Sequence, residues 1–242
     1  MNKIIQTQEL AIAITAKNLN PSVVNFDFLQ YSNIISSEWE LARKPVYTKN
    51  LTQLVFKNGI AIVVQPKRVI FAEATDGKEI EELQIPQLAS KYIDKLPNIE
   101  YQAVGINPKG FVTFTESNDA TNYLSNNLLA SGEWQEFGST PVKAAIQLAY
   151  TLERSQFNLT INEGLLQISE EKSVPAVLFS GNFNYSINDN EAQTRLQDLN
   201  QIIRNWKKDL ETYKEIINNK FLSNKVNNKN LIPFGVPISP SV

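Results

Sequence analysis

The run VKAAIQLAYTL, residues 142–152, alternates without a miss. Val142, Ala144, Ile146, Leu148, Tyr150 and Leu152 fall on one side, with Lys143, Ala145, Gln147, Ala149 and Thr151 between them. A period of two over this length puts one apolar face and one small or polar face on a half-buried strand. The pattern returns twice downstream. Phe157, Leu159 and Ile161 interleave with Asn158, Thr160 and Asn162. Val177, Phe179, Gly181, Phe183, Tyr185 and Ile187 interleave with Leu178, Ser180, Asn182, Asn184 and Ser186. Three such strands in succession predict an antiparallel meander with one buried face. Gly164, which interrupts the second strand, predicts a bulge.

An apolar sheet face needs a cover, and the next segment offers one. Leu196, Leu199, Ile203, Trp206, Leu210, Tyr213 and Ile217 recur at intervals of three and four. That is the stripe of a long helix, here over about 188–222. Asn188 with Glu191 three residues on resembles a capping box. Ile202 and Ile216 widen the stripe, as a helix on a sheet requires, whereas Trp206 and Tyr213 suit a two-stranded coiled-coil seam poorly. Residues 223–242 are rich in Asn, Pro and Lys and contain no acid. They are expected to form an extended or disordered tail.

Toward the N-terminus, residues 51–57 and 60–65 flank Asn58-Gly59 and predict a hairpin with a two-residue type I′ turn. Residues 68–74 predict a third strand, ended by Asp76-Gly77. Ile85, Leu88, Ala89, Tyr92, Ile93 and Leu96 follow helical spacing, with Pro86 near the start and Pro97 at the stop. Leu10, Ile12 and Ile14 read as a first strand, and residues 23–30 as another extended segment. Residues 99–107 and 111–114 read as strands joined by a turn at Asn107-Pro108-Lys109-Gly110. Residues 118–130 read as a short helix. The expected fold class is α+β. An antiparallel sheet built from hairpins and a meander carries a long C-terminal helix on its apolar face, in a single domain over 1–222. Both 51–96 and 142–222 read as three strands followed by a helix. Their side chains do not repeat; the order fits a duplication or only a common way to build an α+β protein, and the second reading is preferred.

The 242 residues include no histidine and no cysteine. The usual neutral-pH proton carrier, the thiol nucleophile and the nitrogen and sulfur ligands of transition metals are therefore excluded. No phosphate loop, dinucleotide glycine fingerprint or Gly-x-Ser-x-Gly elbow occurs. The reading is no enzyme, no catalytic residues, no cofactor and no metal. A net charge of −2 argues against a chain that coats nucleic acid. No apolar run reaches the roughly 20 residues of a membrane span. Gln6, Gln8 and Glu9 interrupt any secretory signal, so a cytoplasmic location is expected.

Two residue groups stand as candidate sites. A helix gripping a curved sheet can enclose an apolar cavity, which Phe179, Phe183, Tyr185, Trp206 and Tyr213 would line. Arg43, Lys44, Lys57, Lys67 and Arg68 fall in a stretch that has no acid, and form a candidate patch for an anionic partner such as RNA or single-stranded DNA. The acidic segment that follows, with Glu73, Asp76, Glu79, Glu81 and Glu82, would repel phosphate.

The stretches SEWELAR at 37–43, KNGIAIVVQP at 57–66 and YQAVGINP at 101–108 resemble a family of uncharacterised conserved cyanobacterial proteins. The resemblance spans most of the chain. It implies a cytoplasmic bacterial protein with no assigned activity. Taken with the missing catalytic repertoire and the two apolar faces of the 51–74 hairpins, the expectation is a non-enzymatic interaction or scaffold protein that self-associates. A small apolar-ligand carrier and a weak nucleic-acid binder using the 43–68 hairpin are the alternatives.

Overall fold

A computed structural model describes residues 3–17, 19–169, 172–187 and 191–223. Among the described residues nine strands build one sheet: β1 (Gln6–Ala16), β2 (Val46–Thr48), β3 (Leu51–Val55), β4 (Ile60–Gln65), β5 (Arg68–Ala74), β6 (Tyr101–Thr113), β7 (Ala145–Thr151), β8 (Gln156–Ser169) and β9 (Lys172–Ser186). Their order is β2-β3-β4-β5-β1-β6-β9-β8-β7, with every neighbouring pair antiparallel. The helices are α1 (Phe26–Tyr31), α2 (Ile85–Lys95), α3 (Ser117–Asn122), α4 (Ala192–Arg204) and α5 (Trp206–Ile216). The class is α+β. Among the described residues, no helix is long and apolar enough to cross a membrane.

The alternation in the sequence becomes the two faces of this sheet. Leu10, Ile12 and Ile14 of β1, Ile60, Ile62 and Val64 of β4, Val69 and Phe71 of β5, and Phe157, Leu159 and Ile161 of β8 are all buried. Residues between them stay half-buried or exposed, except Ala11, which is buried. On the second face of β4, β5 and β1, Ala61, Ala72 and Ala11 stand in one register row. The central strands β1 and β6 bind the 51–74 ladder to the meander. The two meanders thus flank a common centre.

Several local expectations change. Residues 23–30 are not extended: Asn25 caps α1, its Oδ1 accepting from the Phe28 amide at 2.8 Å. The Asn58-Gly59 turn is not type I′, because Asn58 keeps a negative φ while Gly59 sits at +82°. Gly59 N–H donates to Phe56 O, and Phe56 N–H to Ile60 O. This is the three-residue loop in which a type I turn is closed by a left-handed glycine. Asn107-Pro108-Lys109-Gly110 is no turn at all but the middle of β6. Gly164 pairs regularly with Ala176, and the β8 irregularity falls at Gln167–Ser169 instead. The expected long C-terminal helix is divided at Asn205 into α4 and α5. The expected cap at Asn188 and the tail beyond Ser223 lie outside the described residues.

Candidate functional site

The cavity candidates come first. Phe179, Phe183 and Tyr213 are buried in the core with no exposed surface. Phe183 stacks on Phe157 at 4.2 Å between centroids, and the Tyr213 hydroxyl donates to Phe179 O at 2.8 Å. Trp206 is buried beside them in the same hydrophobic cluster. These side chains fill space rather than line it. Tyr185 alone of the five lines the cleft described next.

That cleft, of about 470 Å³, lies between the β7–β8 turn, the end of β9 and α4. Its lining includes Arg154, Ser155, Tyr185, Asp198, Gln201 and Asn205. Behind it sits Asp209, in the first turn of α5 and buried. Its Oδ1 accepts from the Tyr185 hydroxyl at 2.7 Å and from Arg154 Nη2 at 3.1 Å. Its Oδ2 is buried without a partner. Burial holds the Asp209 carboxyl above its usual range, against the pull of Tyr185 and Arg154. Burial, then the hydrogen bond to Asp209 and the Asp209 charge, push the Tyr185 phenol up to about 12. Arg154 therefore spends part of its charge on Asp209, and Asp209 itself does not face the cleft. The group clamps the β7–β8 turn and β9 to α5.

The basic candidates do not converge. Lys57 lies at the β3–β4 turn and pairs with Glu40. Lys67 and Arg68 lie at the β4–β5 turn, the far end of β4, with Arg68 Nε donating to Gln65 Oε1 at 2.6 Å. Six residues of strand separate the two turns, roughly 20 Å at the rise of a β-strand. Arg43 and Lys44, just before β2, follow Leu41, which bridges to Phe56, so they lie toward the β3–β4 turn with Lys57 and away from Lys67 and Arg68.

Reading for charge set Glu73 in the acidic segment expected to repel phosphate, whereas its side chain is buried. It is on the buried face of β5, in phase with Val69 and Phe71. Its carboxylate accepts from Lys78 Nζ at 2.9 Å and from the Gln84 and Ile85 amides at 2.7 and 3.1 Å. It closes the first turn of α2 from inside the core. Strand parity was the signal that could have found it. Asp209 carried a similar signal, being one helical step from Trp206 and Tyr213.

The two sheet edges differ sharply. β2 is three residues long, and Arg43, Lys44, Pro45 and Lys49 surround it. Short length, charge and proline all discourage strand addition. β7 is seven residues long, and Ala145–Thr151 contains no charge and no proline. Its outer edge therefore has none of those protections. Ala144, Ile146, Leu148, Tyr150 and Leu152 are only partly buried against the core rim.

No protein-family model matches the chain, and no curated protein matches it significantly.

Proposed function

We propose that this is a non-enzymatic interaction protein that associates through the β7 edge by strand addition. The observation that carries the reading is the contrast between the two edges: β2 is short and ringed by charge, β7 long and uncharged. A strand left with free main-chain donors and acceptors accepts another strand. Here a half-buried apolar row beside the edge adds a reason to complete the pairing. In this reading α4 and α5 cover the apolar face of the meander, so the edge, not the face, remains for a partner. The apolar-carrier alternative draws no support from the packing of Phe179, Phe183 and Tyr213 against core neighbours. The nucleic-acid alternative draws none from cations at opposite ends of β4.

The test replaces the exposed Gln147 and Ala149 by lysine. Neither side chain is in the core, so the fold should change by no more than about 0.5 kcal/mol. In sedimentation at micromolar concentration the native chain runs above its 27.3 kDa mass, and the Gln147→Lys/Ala149→Lys chain runs as a monomer with unchanged circular dichroism. A native chain that is monomeric throughout, or an assembly indifferent to both lysines, overturns the reading.

A further inference from the structure

We infer that the strand β7 accepts is β7 of a second copy, paired antiparallel about a two-fold axis through Leu148, so that Lys143 of each chain meets Glu153 of the other. This rests on the edge reading above and adds the partner and the register.

The stretch is self-complementary about Leu148. Directly opposed residues of an antiparallel pair share a face. With Leu148 on the axis, Ile146 faces Tyr150, Ala144 faces Leu152, and Leu148 faces itself, so the partly buried rows of both chains join into one apolar stripe. On the exposed face Gln147 meets Ala149 and Ala145 meets Thr151. Just past both ends, Lys143 meets Glu153 twice over. The Lys143 side chain is 83% exposed, held only by Glu163 at 3.5 Å, and Glu153 is exposed. Both charges are free to turn toward a partner.

Competing registers are poorer. Moving the axis to Gln147 or Ala149 keeps the faces matched but sets Lys143 against Thr151 or Glu153 against Ala145, leaving the charges without opposites. Moving it between residues opposes the apolar row of one chain to the exposed row of the other. The interface is isologous, so it consumes both copies of the unprotected edge at once. The outer edges of the joined sheet are then two copies of β2, guarded by charge and proline. Growth stops at a dimer with one continuous sheet.

The absence of cysteine makes the register directly readable. Leu148→Cys places one thiol per chain on the axis, where opposed Cα atoms lie within disulfide reach. Mild oxidation should yield a covalent dimer. Ile146→Cys should give none alone, but a mixed dimer when combined with Tyr150→Cys. If Leu148→Cys fails to fold, Gln147→Cys mixed with Ala149→Cys, both exposed, reads the same register. Lys143→Glu should weaken dimerisation by about tenfold, as should Glu153→Lys, and the double reversal should restore it. Cross-links at other positions, or no rescue, overturn this register while the edge reading stands. A dimer that survives lysines at 147 and 149 overturns both.

Discussion

A carboxylate with no exposed surface decides how the first meander meets its helix. Glu73 takes three donors, Lys78 Nζ and the Gln84 and Ile85 amides. The two amides belong to the opening turn of α2, where N–H groups lack carbonyl partners within the helix. Ionic acceptance explains how the charge is tolerated in the core. Glu73→Ala would leave both amides unanswered and the Lys78 ammonium with only the Asn58 carbonyl to accept from it, and the chain should lose about 3 kcal/mol in urea unfolding. Glu73→Gln, which keeps one acceptor oxygen, should lose about half of that. Equal losses for the two variants would show that volume, not acceptance, is what matters there. Asp209 makes the contrast. One of its oxygens serves Tyr185 and Arg154 and the other serves no group. Burial raises its carboxyl above the usual range, against the pull of Tyr185 and Arg154.

At the scale of elements, β6 shows where sequence reading stops. Asn-Pro-Lys-Gly has turn composition, yet Pro108 pairs with Leu10 and Lys109 with Ser180 in the sheet's centre. Two long neighbours override a local preference, and no window of a few residues contains them. The β1 irregularity between Thr7 and Glu9 lies alongside. Gly110 is there for space: a Cβ would stand 2.6 Å from Gln6 O, a backbone atom that cannot swing aside. Gly110→Ala should therefore cost about 2 kcal/mol in thermal or urea unfolding, as overpacking does. A variant as stable as the native chain would show that β1 shifts freely. The meander was legible because its alternation is long, and α2 because six apolar residues keep one phase. The order of strands was not. The first strand in the chain is inserted between β5 and β6, a pairing over 50 to 100 residues with no local mark. Of the sites, the stretch that forms β7 was legible as a strand. That it is an edge was not, since edges are defined by what fails to pair.

Across the whole molecule, buried and half-buried tyrosines tie helices to their neighbours. Tyr92 of α2 meets Phe71 edge-on at 5.5 Å. The hydroxyls of Tyr101, Tyr123 and Tyr213 donate to Leu96 O, Phe221 O and Phe179 O, and that of Tyr185 to Asp209. Burial raises all five phenols, Tyr123 and Tyr185 to about 12 and the other three further. The ordinary value is near 10. A group whose folded value is raised contributes stability that is complete below its unfolded value and is lost as pH climbs toward the folded one. Above pH 10 the unfolded chain thus releases protons that the folded chain retains, and base favours unfolding. Each phenol contributes at most about 1.4 kcal/mol per pH unit in that window. The unfolding free energy in urea should accordingly be flat with respect to these groups below pH 10 and fall steeply above it. Phenolate absorbance should show the five ionising only together with loss of the fold. Replacing Tyr123 by Phe, which keeps the ring and removes the proton, should lessen the slope. If all five titrate smoothly near pH 10 while the fold persists, helices and sheet separate far more readily than their packing implies.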